Sequence, residues 1–171
     1  WVSNSQNDQD GDGCRDIDED QDIDGDSIMD VTDSCLSNLI NWESTIVSDY
    51  DSDGCRDIDE DDDDDNDGFI DTLDTCPYGT INWVSNSSND YDSDGCFDSA
   101  EDDDDDNDGI LDITDGCDTG LLNWTSTPSN DYDSDGCKDL IEDLDMDNDF
   151  VNDDVDSCPQ GRLGWISEDE P

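Results

Sequence analysis

Apolar residues along this chain keep neither a helical nor a strand period. No stretch sustains the i, i+3, i+4, i+7 spacing of an amphipathic helix, and the Asp-rich middle segments are poor in helix formers. What recurs is an apolar pair, an aliphatic residue two places before a tryptophan: Ile40 and Trp42, Ile81 and Trp83, Leu122 and Trp124, Leu163 and Trp165. Asn38, Gly79, Gly120 and Gly161, residue types that tolerate positive φ, stand just before these pairs and mark turns. The pattern predicts turns and short extended pieces with little regular secondary structure. The pairs are expected to be small hydrophobic plugs between repeats rather than an exposed aromatic surface.

The recurrence is strict. Trp1, Trp42, Trp83, Trp124 and Trp165 are spaced by 41 residues, as are Cys14, Cys55, Cys96 and Cys137 and, in a second phase, Cys35, Cys76, Cys117 and Cys158. The chain therefore reads as four repeats, 1–41, 42–82, 83–123 and 124–164, followed by residues 165–171 in the phase of 1–7. In such an array each unit touches mainly its neighbours. Each repeat opens on a Trp-x-Ser segment rich in Ser, Thr and Asn, runs through aspartates and ends in a turn.

The aspartates are ordered by position. Asp49, Asp51, Asp53, Gly54, Cys55, Asp57 and Glu60 take positions 1, 3, 5, 6, 7, 9 and 12 of D-x-D-x-D-G-x-x-D-x-x-E, the ligand spacing of an EF-hand calcium loop. Hard oxygen donors at alternate positions wrap one cation, glycine permits the sharp turn, the position-7 carbonyl contributes and the last acid closes the sphere. The same set returns as Asp8, Asp10, Asp12, Cys14, Asp16 and Glu19; as Asp90, Asp92, Asp94, Cys96, Asp98 and Glu101; and as Asp131, Asp133, Asp135, Cys137, Asp139 and Glu142.

A second loop begins 14 residues after the first, closed by Asp instead of Glu. Its copies are Asp22, Asp24, Asp26, Ile28, Asp30 and Asp33; Asp63, Asp65, Asp67, Phe69, Asp71 and Asp74; Asp104, Asp106, Asp108, Ile110, Asp112 and Asp115; and Asp145, Asp147, Asp149, Val151, Asp153 and Asp156. Position 6 holds Ser27 and Phe150 in the outer repeats, where weaker or more distorted sites are expected. Forty of the 56 acidic residues fall on ligand slots, whereas position 8 of the first loop wanders through Arg15, Arg56, Phe97 and Lys138. A merely solvated acidic surface would not sort acids in this way. Carboxylates ~4 Å apart repel by roughly 1 kcal/mol in water and roughly 4 kcal/mol near a protein surface. Calcium, at least eight ions per chain, is therefore expected to be the folding agent.

Only Asp61 and Asp62 separate one loop from the next, which leaves no room for EF-hand helices. The arrangement resembles thrombospondin type 3 repeats, with the pattern D-x-D-x-D-G-x-x-D-x-x-D-x-C matched by Asp63 to Cys76 and Asp104 to Cys117. The resemblance covers the Asp-rich middle of all four repeats and implies a metal-centred, disulfide-stapled fold whose closely spaced ions share carboxylates. The Trp-x-Ser segment and the fixed period depart from that family. Asp20, Asp61, Asp102 and Asp143, directly after each first-loop Glu, are candidates to bridge ions of adjacent loops.

Composition agrees. Against 56 acidic residues stand 4 basic ones, a formal charge of -52, and only 29% of positions are hydrophobic, too few to fold a globule alone. No basic patch exists to meet nucleic acid or anionic lipid, and no run is long enough to insert in a membrane. With no histidine, and Arg15, Arg56, Lys138 and Arg162 as the only cations, an enzyme is not expected. Eight cysteines at regular spacing point to disulfides and an extracellular setting. Pairing inside a repeat, Cys14 with Cys35 and onward, is preferred because it needs no partner. Pairing across the Trp segment, Cys35 with Cys55 and onward, leaves Cys14 and Cys158 for another chain. Asn86 and Asn123 open sequons that offer attachment points for covalent glycans. The chain opens on Trp1, as a processed chain or a window of a longer one would.

Three functions fit. One is an extracellular structural protein, a calcium-rigidified subunit of a filament or stalk that meets copies of itself head to tail, the matching phase of 165–171 and 1–7 making the two ends complementary. The others are a calcium-dependent adhesin or carbohydrate-binding module using tryptophan rows, and an acidic calcium buffer or mineral-binding protein.

Overall fold

The computed structural model describes residues 1–36, 39, 40 and 42–166. Among them there is no helix and no strand, only turns and bends. The cause is local: aspartate side chains capture the backbone donors that a helix or sheet would use. The N–H of Asp12 bonds to Asp10 Oδ1 at 3.0 Å, that of Asp53 to Asp51 at 3.2 Å and that of Cys55 to Asp53 at 2.8 Å. Each loop then ends in one turn. The Arg56 carbonyl accepts from Asp59, Glu60 and Asp61, and the Ile70 carbonyl from Leu73 and Asp74. That turn does not grow into a helix, because the next loop begins at Asp63.

The chain divides into two units, Trp1–Ser85 with Asp94–Cys96, and Asn86–Ser93 with Phe97–Pro171. The first holds the disulfides Cys35–Cys55 and Cys76–Cys96, with Cα atoms 5.0 and 5.2 Å apart; the second holds Cys117–Cys137, at 5.2 Å. These bonds cross the Trp segment and correct the preferred pairing: Cys35 is joined to Cys55, not to Cys14, and Cys14 and Cys158 are unpaired. Backbone hydrogen bonds set that register. The N–H groups of Ser34, Thr75 and Gly116 donate to the carbonyls of Asp53, Asp94 and Asp135 at 2.6–2.8 Å, which draws the following cysteine of one repeat to the first-loop cysteine of the next.

The interior is unusual in kind. Among the described residues thirteen aspartates are buried, while the buried apolar ones are Cys35, Cys55, Cys96, Cys137 and Met146. The expected aliphatic plugs are absent: Ile40, Ile81, Leu122 and Leu163 are 42%, 38%, 37% and 45% exposed. Trp42, Trp83 and Trp124 are half-buried, and the Lys138 ammonium stands 5.1 Å from the Trp124 ring centroid. Staples and carboxylates occupy the place of a core.

The turn glycines also act differently from the expectation. Gly120 and Gly161 lie outside the left-handed region, and a Cβ would stand 2.8 Å from Asp106 Oδ2 or 2.5 Å from Asp147 Oδ2. Their role is to let a carboxylate approach the backbone. The left-handed residues are those just before the tryptophans, Asn82 (φ 69°), Asn123 (φ 64°) and Gly164 (φ 72°). Asn38, the fourth expected turn residue, lies outside the described residues.

Candidate metal centres

Three hydrogen bonds shape every loop. First, the position-7 N–H donates to the position-5 carboxylate, from Cys14, Ile28, Cys55, Phe69, Cys96, Ile110, Cys137 and Val151, at 2.6–2.9 Å. Second, the position-9 N–H reaches the carbonyl just before the loop, as Asp57 does to Ser48 at 3.1 Å and Asp71 to Asp62 at 2.9 Å. Third, the position-2 N–H donates to the position-9 carboxylate, as Tyr50 does to Asp57 at 3.0 Å and Asp64 to Asp71 at 2.9 Å. The same bonds join Gln9 to Asp16, Ile23 to Asp30, Tyr91 to Asp98, Asp105 to Asp112, Tyr132 to Asp139 and Met146 to Asp153. Together they curl each loop on itself and aim its acids inward.

Two left-handed residues make the curl. In the first loop these are positions 4 and 6, Ser52 (φ 64°) and Gly54 (φ 92°); in the second, Asn66 (φ 60°) and Gly68 (φ 99°). Position 4 was not legible as a special slot, although Gly11, Gly25 and three Asn and three Ser hold it. Ser27 (φ 85°) and Phe150 (φ 71°) keep the left-handed conformation, and their N–H groups still reach Asp22 and Asp145 at 3.2 and 2.8 Å, as Gly68 reaches Asp63 at 3.1 Å. The expected distortion of those two loops is therefore not found in their backbone.

Positions 1, 3 and 5 converge. Asp8, Asp10 and Asp12, Asp22, Asp24 and Asp26, Asp49, Asp51 and Asp53, and Asp63, Asp65 and Asp67 each bring carboxylate oxygens within 4.8 Å of one another. Asp57 brings an oxygen within that distance of Asp61 and Asp64, joining a linker residue to both loops. Many of these oxygens are sealed from solvent without a hydrogen-bond donor, among them Asp8 Oδ2, Asp26 Oδ2, Asp63 Oδ1, Asp108 Oδ2 and Asp147 Oδ1. Burial, reinforced by the neighbouring carboxylates, pushes Asp61, Asp74, Asp105, Asp106 and Asp133 up to about 7, and Asp64, Asp65 and Asp115 up to about 6. A buried carboxylate with neither donor nor counter-charge is costly to hold. The donor set is all hard oxygen without imidazole, which suits calcium or magnesium rather than zinc or copper.

Closing acids reach into the next repeat. A Cβ on Gly54 would fall inside the Asp33 carboxylate, and the same holds for Gly95 with Asp74 and Gly136 with Asp115. Glycine is required there for space as well as for φ. Glu60, the closing acid of a first loop, feels the charge of Asp33 in the preceding repeat, and Asp108 feels that of Glu142 in the following one.

Two further anchors had no sequence signal strong enough to assign a role. The serine of Trp-x-Ser joins loops: Ser44 N–H donates to the Asp26 carbonyl at 2.8 Å and its hydroxyl to Asp49 Oδ2 at 2.5 Å, with Ser126 repeating both to Asp108 and Asp131. The tyrosine at position 2 donates to the turn glycine, Tyr50 to Gly79, Tyr91 to Gly120 and Tyr132 to Gly161, at 2.8–2.9 Å. The N–H of each of these glycines meets Asp65, Asp106 or Asp147. The fixed spacing of Tyr50, Tyr91 and Tyr132 was the readable signal. Both sequon asparagines, Asn86 and Asn123, are exposed.

No family model matches the chain, and no curated protein matches it either.

Proposed function

We propose that this chain is an extracellular structural protein, a calcium-rigidified tandem-repeat subunit of a filament or stalk that assembles head to tail. The observation that carries this reading is the interior itself, aspartate oxygens aimed at one another where a soluble domain would pack apolar side chains. Calcium in the eight loops neutralises that interior and turns a chain too acidic to collapse into a stiff one. Three disulfides favour an oxidising compartment, and among the described residues no helix is long and apolar enough to cross a membrane. An adhesin built on tryptophan rows is supported less well, since Trp42, Trp83 and Trp124 are half-buried.

Head-to-tail growth follows from the junction between repeats, a heterologous contact that any further copy could continue without closing. Cys158 has the phase of Cys117, and Cys14 that of Cys137, so a junction between copies would carry the same disulfide as the internal ones. The test is light scattering and a non-reducing gel on the isolated 171-residue chain. In millimolar calcium, the range of extracellular calcium modules, we expect growing species and a ladder that collapses on reduction and is lost in Cys14→Ser. A strictly monomeric chain at high concentration with calcium bound would overturn the filament reading. A fold that persists after calcium is stripped would overturn the calcium reading.

A further inference from the structure

Between the two loops of repeat two sits a third group of carboxylates. Asp57 comes from position 9 of the first loop, Asp61 from the linker and Asp64 from position 2 of the second loop, a slot with no ligand role in the loop pattern. One oxygen of each lies within 4.8 Å of the others.

Each of the three is already tied at one point. Asp57 Oδ1 accepts the Tyr50 N–H at 3.0 Å, Asp61 Oδ1 accepts the Asp63 N–H at 3.0 Å, and the Tyr78 hydroxyl hydrogen-bonds to the Asp64 carboxylate. Asp64 is only 3% exposed, and its Oδ1 is sealed from solvent with no donor, as is Asp61 Oδ2. Arg56, the cation beside Asp57 in sequence, is engaged with Asp59 at 2.5 Å. Asp61 and Asp64 thus each keep a buried oxygen without a donor beside the anchored Asp57 carboxylate, and Arg56 is not spent on them.

Internal repetition supplies the control. Repeat three reproduces the set as Asp98, Asp102 and Asp105, with Asp105 Oδ1 again buried and without a donor, and with Asp112, Asp98 and Asp102, in that order, the charges acting on Asp105. In the outer repeats the position-2 slot is apolar, Ile23 and Met146. Met146 is buried, and its sulfur meets Gln160 Nε2 at 3.9 Å, Gln160 standing in the phase of Tyr78. The partner changes with the slot: a hydroxyl over the carboxylate in repeat two, an amide over the thioether in repeat four.

We infer that repeats two and three each bind one additional divalent cation, of the calcium class, at Asp57, Asp61 and Asp64 and at Asp98, Asp102 and Asp105, while repeats one and four do not. The inference rests on the calcium reading of the loops and adds two ions to the eight they hold. The remaining coordination positions fall to water, as they do for hard cations on few protein ligands.

Equilibrium dialysis of the full chain against radioactive calcium, at saturation, tests it. Asp64→Asn with Asp105→Asn keeps the shape of both side chains, and at position 64 the oxygen that the Tyr78 hydroxyl meets, while removing both charges, and should bind two fewer ions than the parent chain with unchanged near-ultraviolet circular dichroism. Equal counts would overturn the inference and leave the loops intact. Failure of the parent chain to bind calcium at all would instead overturn the loop reading. Should the double variant not fold in saturating calcium, Met146→Asp decides: one ion more than the parent supports the inference, and no gain overturns it.

Discussion

A single glycine carries two demands at each repeat junction. Gly54 has φ 92°, and the Asp33 carboxylate of the preceding repeat occupies the space a side chain would need; Gly68 has φ 99°, yet a Cβ there would meet only Val84 at 3.7 Å. Gly68→Ala should therefore show only the left-handed penalty, about 1 kcal/mol. Gly54→Ala must in addition displace the closing acid of a loop. Urea unfolding in saturating calcium should give Gly54→Ala at least twice the loss of Gly68→Ala; equal losses would show that the Asp33 contact contributes nothing. The reverse change is available at Phe150, whose side chain is 73% exposed and whose φ is 71°. Phe150→Gly removes a strained conformation without removing packing and should raise the calcium midpoint stability by about 0.5–1 kcal/mol. A loss there would mean that the phenyl ring holds the loop.

At the scale of the element, the loop is the unit of structure, and its acids govern its response to pH. Without calcium, Asp61, Asp74, Asp105, Asp106 and Asp133 titrate near 7 in the folded chain, against about 3.9 when unfolded. Between roughly pH 4 and pH 7 the folded geometry then holds more protons than the unfolded chain, so without calcium that geometry becomes steadily less favourable as pH rises. Calcium reverses the sign, because it competes with those protons for the same oxygens and binds more tightly as they leave. The calcium concentration at which the chain is half folded, followed by circular dichroism at pH 5 and pH 8, should be lower at pH 8, because fewer protons then have to be displaced. A midpoint that does not move with pH would mean that the buried acids are not where calcium binds.

For the whole molecule, the decisive quantity is charge. A formal charge of -52 is reduced by coordination, not by screening. We expect 2 M sodium chloride to leave the calcium-stripped chain unfolded by circular dichroism, since a Debye length of about 2–3 Å weakens repulsion without supplying directed ligands. Refolding in salt alone would make the loops a problem of repulsion only.

What the sequence determined by itself was the chemistry and its period. Asp at positions 1, 3, 5 and 9 of eight loops, with Asp61 and Asp62 too short a link for helices, was enough to predict little regular secondary structure and to place Asp49, Asp51 and Asp53 around one point. Those features are local, set by residues within twelve of one another, and local spacing is legible in one dimension. The tertiary structure decided everything that joins one repeat to the next. Both disulfide schemes close loops of nearly equal length, so spacing could not choose between Cys14 and Cys55 as the partner of Cys35; the backbone bond from Ser34 to Asp53 chose. The aliphatic residues before each tryptophan were read as plugs because apolar side chains usually seek the interior, but here buried carboxylates and cystines already fill it. Asp64 was invisible as a ligand because its slot is free in the loop pattern, and only folding brings it to Asp57 and Asp61.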